Sequence, residues 1–319
     1  MRKFLVTASL VLLMVAPAYA QELDPATKWA TIAFNEFHVA ANIVYQRANG
    51  TTLKLDVITA GPKSVARPTV IYFHGGGLVE GVKEGAVLNL LPYLARGMNA
   101  VNVEYRMAPD ALAPAAVEDA RCALHWVDEN AEAFGFDRSK LVVAGHSAGG
   151  YLALMTGMLT PADNFDKACT RLPADWREGK IRDVKVAAIV NFYGITDFAD
   201  LLQGPNTRNF AVRWFGNLPN RMELARQVSP LNLVRAGVPP IITVAGDKDP
   251  IVPYQHQAQL HQALERAGLP NQLVTIAGGG HGSTQPFAWN REQNLKAQEE
   301  IFKFLEKHEI IAPGLGAGN

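Results

Sequence analysis

Cysteine is nearly absent, since Cys122 and Cys169 are the two in 319 residues. Two cysteines cannot build the dense bridge framework of a small disulfide-held scaffold, so the fold has to rest on buried apolar surface. No Cys-x-x-Cys or His-x-x-x-His spacing occurs, and the pair His256 and His261 stands five apart, a step that does not share a helix face. The pattern therefore offers no metal site, and no cofactor is expected. Net charge is missing as well: thirty basic and thirty acidic side chains cancel, which leaves no global field to gather nucleic acid or strongly charged ligands. A small neutral organic partner suits such a chain better. Its oligomeric state is not written in the sequence.

Long apolar runs are lacking outside the N-terminus. The one found there, Phe4 to Ala16, falls short of the about 20 residues a membrane-spanning helix needs. It follows Arg2 and Lys3 and precedes Ala18-Tyr19-Ala20, so residues 1–20 read as a secretory leader cut after Ala20 rather than a stable membrane anchor. The mature protein is then expected in the periplasm or outside the cell. Cys122 and Cys169 could pair in that oxidising setting, although a buried thiol is the ordinary reading for a cysteine inside an amphipathic helical stretch. The sequence leaves both open. No internal repeat, charge run or low-complexity linker is present, and only the Gly-rich tail 313–319 is expected to be disordered.

What is there is an apolar content of 48% over a length that suits one large α/β domain, residues 21–312. Trp29, Ile32, Ala33, Phe37 and Ala40 recur at three- and four-residue steps and predict a helix over 28–41. Asn49-Gly50 between two β-rich runs, 42–46 and 52–58, predicts a type I′ hairpin. Short β-branched runs near 69–73, 100–105, 141–145, 185–192, 241–245 and 272–276 then alternate with helical patterns, of which 114–134 is the clearest. This alternation predicts a mostly parallel central sheet with helices on both faces and functional loops at the carboxyl ends of the strands. Residues 195–238 break the rhythm with Pro205, Pro219 and Pro230 around Phe210, Trp214 and Phe215. A small inserted cap is expected there, either a surface excursion with its own small core or a cover over the substrate.

Three stretches at such strand ends carry chemistry. Gly145-His146-Ser147-Ala148-Gly149 follows the run Leu141 to Ala144 and opens a helical stretch, which is the setting of a nucleophile elbow. Ser147 is the expected nucleophile. A serine hydroxyl is weak at neutral pH and needs a base within hydrogen-bond reach and donors for the oxyanion that forms. His281, in Gly278-Gly279-Gly280-His281-Gly282 after the last strand, is the expected base. The other histidines fail on placement: His38, His125 and His308 lie in helices or near the tail, His74 suits fixing a loop, and His146 is expected to point away. Gly246-Asp247-Lys248-Asp249-Pro250 offers two carboxylates for the second ring nitrogen of the base. Asp249 is the choice, because Asp247 beside the strand end suits a local turn bond. The loop His74-Gly75-Gly76-Gly77 supplies the expected oxyanion donors Gly75 and Gly76, joined by the N–H of Ala148. Trp214 and Phe215 are expected to line the acyl pocket, with Leu78, next to the glycines, as a further substrate-binding position.

With Tyr105-Arg106-Met107-Ala108-Pro109-Asp110 and Pro114-Ala115-Ala116-Val117-Glu118-Asp119 beside the His-Gly-Gly-Gly loop, nearly the whole mature chain resembles the hormone-sensitive-lipase-like esterases of the α/β-hydrolase superfamily. The resemblance implies a cofactor-free carboxylesterase with Ser147, Asp249 and His281 as its triad and Gly75, Gly76 and Ala148 around the oxyanion. Its Asp-x-x-Val-Pro pattern, here Asp249 to Pro253, supports Asp249 as the acid. Two departures, His146 before the serine and Leu78 where an aromatic often follows the glycines, lean toward exported enzymes that resemble acetylxylan and feruloyl esterases. Carbohydrate or hydroxycinnamate esters are then the expected substrates. Rival readings are a serine peptidase, since Gly145 to Gly150 also fits Gly-x-Ser-x-Gly-Gly, an arylformamidase, and a non-catalytic binding protein on the same scaffold.

Overall fold

Eight strands make one sheet in the computed structural model, which describes residues 23–169 and 182–314. The expected leader and residues 315–319 of the expected tail lie outside the described residues. The strands are β1 (Phe37–Ala48), β2 (Thr51–Ala60), β3 (Arg67–Phe73), β4 (Asn99–Val103), β5 (Phe136–His146), β6 (Ala188–Phe192), β7 (Ile241–Gly246) and β8 (Asn271–Ile276). Their spatial order is β1-β2-β4-β3-β5-β6-β7-β8. β1 and β2 are antiparallel, β2 meets β4 antiparallel, and every later neighbour is parallel.

The hairpin at the entry forms where Asn49-Gly50 predicted it. Both residues take positive φ, 50° and 80°, as a type I′ turn requires, and Ala48 pairs with Thr51. The N-terminal helix ends earlier than its periodicity suggested. It spans Pro25–Glu36, and residues 37–41 belong to β1, where Phe37 pairs with Ala60 and Val39 with Ile58. Pairing with β2 overrides the local helical pattern, and an irregular register between Ala40 and Ile43 masks the two-residue alternation that would have signalled a strand.

The parallel strands are buried on both faces, so they read as continuous apolar runs. Alternate residues serve opposite layers. Ile71, Phe73, Val101, Val143 and Ile189 pack with the helices Ala115–Glu129 and Ala148–Met158, while Val70, Tyr72, Val142, Val190 and Val244 pack with Leu94, Ile301 and Phe304. Complete burial of one such Val, Ile or Phe contributes about 1.5–3 kcal/mol. The expected helix 114–134 is Ala115–Glu129 followed by a short turn, Ala131–Phe134.

Residues 195–238 contain the short helices Phe198–Leu201, Asn209–Phe215 and Arg221–Gln227. They build no separate core. Phe198, Leu201, Trp214 and Phe215 are fully buried in the same apolar cluster as Val117 and Tyr151, and the Trp214 ring lies 5.7 Å from that of Tyr151. Cys122 and Cys169 form a disulfide, so the thiol reading does not hold. The bridge ties the helix Ala115–Glu129 to the turn Phe165–Ala168, which Arg121 also grips through a two-oxygen pair with Asp166, at 2.6 and 2.8 Å.

Candidate active site

β5 runs straight into the helix Ala148–Met158 with one residue between them, Ser147. That residue takes φ 56° and ψ −121°, a conformation that side chains rarely adopt and that costs about 1–3 kcal/mol. The strain is held by neighbours on both sides. Ser147 N donates to Phe192 O at 2.9 Å, and Tyr151 N donates to Ser147 O at 3.0 Å. Gly149 lets the helix start against β3: a Cβ there would collide with the carbonyl of Phe73. The turn thus lifts the Ser147 side chain clear of the sheet, beside the positive end of a helix.

Ser147 Oγ lies 2.8 Å from Nε2 of His281, and Nδ1 of the same ring lies 2.7 Å from Oδ2 of Asp249. A carboxylate only accepts, so the ring proton sits on Nδ1, and Nε2 turns its lone pair to the serine hydroxyl. The Asp249 side chain is 1% exposed, and its other oxygen accepts N–H bonds from Ile251 and Val252 at 2.8 and 3.0 Å. Asp247 has the separate job its position suggested, accepting the N–H of Gly278 at 2.8 Å and so holding the loop that carries the histidine. The loop is also closed on itself, for Gly280 N donates to Phe287 O, Trp289 N to Gly282 O, and Trp289 Nε1 to Gly280 O. Tyr193, just past β6, puts its ring 4.5 Å from that of His281.

The glycine loop is fixed from below by His74. Its ring stacks on Tyr105 at 4.3 Å, its Nδ1 lies 2.7 Å from Gly75 O, and Tyr105 donates its hydroxyl to His74 O at 2.8 Å. Burial lowers the His74 pKa, which suits a neutral structural ring. Two expectations need correction here. His146 does not point away: its Nε2 lies 3.3 Å from Gly75 N, and its ring forms part of the cavity wall at Ser147. Gly75 is therefore not an open donor, because its N–H is already aimed at an imidazole. Gly76 and Ala148 have no acceptor for their N–H among the described residues. Gly77, which sequence reasoning passed over, stands beside them on the cavity wall.

The cavity has a volume of about 340 Å³, and Gly77, Val79, Tyr193, Phe210 and Ile251 line it around Ser147 and His281. Leu78, Trp214 and Phe215 are absent from that wall. All three side chains are fully buried in the apolar core: Leu78 turns inward from the glycine loop, and the helix Asn209–Phe215 sinks its C-terminal end. Phe210, at the other end of that helix, packs against Gly77 instead. Phe210 was visible in the sequence as part of the aromatic cluster, and Tyr193 by its place at the carboxyl end of a strand. Ile251 was hidden inside the acid-bearing loop.

Residues 55–264 match the BD-FAE family model. The chain belongs to the BD-FAE family. Among curated relatives of this BD-FAE chain, esterase LipC of Mycobacterium tuberculosis is 30% identical over 67% of the chain and 53% of its own length. Carboxylesterase NlhH of the same species is 38% identical over 29% of each protein. The chain thus spans about half or less of the length of these curated relatives. Among solved structures, a thermophilic esterase of Thermogutta terrifontis with propionate bound is 26% identical, with a TM-score of 0.70 over 87% of this chain and 96% of that one. The architecture is the α/β-hydrolase fold.

Proposed function

We propose that this protein is a serine carboxylesterase that hydrolyses small, neutral carboxylic esters through an acyl-enzyme. The unbroken line from Asp249 through His281 to Ser147 Oγ, ending at a cavity, carries this reading. Ser147 Oγ attacks the ester carbonyl while Nε2 of His281 takes its proton. The charge that develops on the imidazolium is met by Asp249, and that on the carbonyl oxygen by the N–H groups of Gly76, Gly77 and Ala148. His281 then returns the proton to the departing alcohol, and water, activated by the same ring, releases the acid. No step requires a cofactor.

A cavity of about 340 Å³ suits a short acyl chain. The propionate and butyrate bound to the Thermogutta esterase agree with that size. Carbohydrate and hydroxycinnamate esters are the proposed natural substrates, on the strength of the resemblance. The leader-like residues 1–20 and the Cys122–Cys169 bridge support action in an exported, oxidising setting. The test is a series of p-nitrophenyl esters from acetate to laurate, with methyl ferulate and acetylated xylan alongside. Wild-type protein should prefer short chains and label with a fluorophosphonate, whereas Ser147→Ala should do neither. Full hydrolysis by Ser147→Ala would sink the mechanism.

A further inference from the structure

One imidazole on the cavity wall takes no part in the proton transfers described. His146 ends β5, and it reaches across to the glycine loop, 71 residues away in the chain, where its Nε2 meets Gly75 N at 3.3 Å. A peptide N–H can only donate, so Nε2 is the acceptor and the ring proton sits on Nδ1. Tyr72 in β3 offers its hydroxyl oxygen 3.1 Å from Nδ1 as the acceptor, whereas the Asn89 side-chain amide nitrogen, 3.4 Å from Nδ1, only donates and gives that proton no partner. The ring also packs directly on the glycine: a Cβ at position 75 would fall 2.9 Å from both Cδ2 and Nε2 of His146. The titratable groups facing this ring are Tyr72 from β3, His74 from the glycine loop, Tyr193 from beyond β6 and His281 from the loop after β8. Burial, together with the neighbouring His74 and His281, holds the His146 pKa down to about 4, so the ring is a neutral acceptor at ordinary pH.

Gly75 immediately precedes Gly76 and Gly77, neither of whose N–H groups has a backbone acceptor among the described residues. With its peptide tied to the elbow residue beside Ser147, loop and nucleophile share one rigid joint. We propose that His146 is a positioning residue, a neutral imidazole that Tyr72 orients and that holds the Gly75 N–H so that the next glycine N–H groups stay aimed at the oxyanion. The proposal rests on the esterase reading, because it assigns a role within that reaction. The joint should matter in the transition state and little in the ground state, since negative charge builds on the oxygen only as the reaction proceeds toward the tetrahedral intermediate.

The test compares His146→Phe, which keeps a ring but loses the acceptor, with His146→Gln, whose side-chain oxygen can still accept an N–H. With p-nitrophenyl acetate, His146→Phe should lower kcat about 100-fold, in the range found when one oxyanion donor is lost, with KM within about threefold. Its affinity for a trifluoromethyl ketone should fall in parallel with kcat, and its Tm should stay near wild type. His146→Gln should recover most of the lost kcat. Should His146→Phe fail to fold, Tyr72→Phe removes the partner of Nδ1 and should lower kcat several-fold at unchanged KM. A folded His146→Phe with wild-type kcat, a Gln variant as impaired as the Phe variant, or a Tyr72→Phe variant of unchanged kcat would each overturn the proposal. A wild-type protein inert toward esters and fluorophosphonate would instead overturn the reading beneath it.

Discussion

Arg106 and Asp119 meet inside the core as a two-oxygen ion pair: Nε and Nη2 of the guanidinium each lie 2.8 Å from a carboxylate oxygen, and the Arg106 backbone N–H adds a bond at 2.9 Å. Both side chains are nearly inaccessible, at 3% and 0% exposure. Arg106 follows Tyr105, whose hydroxyl and ring hold His74, so the pair anchors the support of the glycine loop. Asp119→Asn removes the buried two-oxygen partner and leaves the guanidinium only the partly exposed carboxylate of Glu118, 3.3 Å from Nη2, so it should cost about 3 kcal/mol. Replacing both partners with apolar residues, as in Arg106→Met with Asp119→Leu, should cost less. Urea unfolding of the two variants beside the wild type checks the ranking.

Ser147 carries backbone strain as well as the proposed nucleophilic hydroxyl. Ser147→Ala and Ser147→Gly should both lower kcat by about 10⁴-fold or more. They should differ in stability. Glycine accepts φ 56° without a Cβ clash, and its greater freedom when unfolded offsets only part of the relief, so Ser147→Gly should be about 1 kcal/mol more stable than Ser147→Ala. Equal unfolding midpoints would remove strain from the account of this turn.

The two carboxylates of the Gly246 to Pro250 loop should respond very differently to the same change. Asp249→Asn puts an NH₂ group or a neutral oxygen opposite His281 Nδ1, disturbs the tautomer, and should lower kcat about 10⁴-fold. Asp247→Asn keeps an acceptor for Gly278 N, and kcat should stay within about threefold, as for a surface substitution that preserves its bond. Steady-state kinetics on p-nitrophenyl acetate separate them.

Acid should loosen the fold through Asp166. Burial raises its pKa, but the two bonds from Arg121, with His125 nearby, outweigh that and hold it well below the ordinary value of 3.8. A depressed carboxylate stabilises the folded state fully above its unfolded pKa and loses that contribution as pH falls toward the folded one. Unfolding free energy should therefore drop below about pH 4 in the wild type. In Asp166→Asn it should start lower at pH 7 and show a shallower fall over the same range.

The Cys122–Cys169 bridge closes a loop of sequence separation 47. Constraint of the unfolded chain by a loop of that length corresponds to about 4 kcal/mol. Thermal melting with and without a reductant should show a lower Tm in the reduced protein, and Cys122→Ala with Cys169→Ala should melt at the reduced value. A Tm indifferent to both treatments would mean that the Arg121–Asp166 grip alone fixes this corner.

Features written in short contiguous stretches were legible before the fold was seen. Asn49-Gly50 dictated a turn because both residues tolerate positive φ, and Ser147, Asp249 and His281 each sit in a local pattern at a strand end. What escaped was set by distant partners. The direction of the Gly75 N–H depends on an imidazole 71 residues away, so a run of three glycines could not reveal which of its amides remain open. The depth of Trp214 was equally invisible: an aromatic near a site can face the cavity or the core, and Tyr151 and Phe198 draw this one into the core. β1 hid its first residues because its irregular register mimics the period of a helix.

The loop after β8 has its own clasp, made of Trp289, Gly280 and Gly282, while Ser283 and Thr284 form part of the cavity rim. Reactivity and selectivity are thereby housed in one segment but secured separately. Remodelling the rim while leaving the clasp intact gives a route to altered preferences under the proposed ester hydrolysis, with His281 still in place. Weakening the clasp would blunt the chemistry whatever molecule enters.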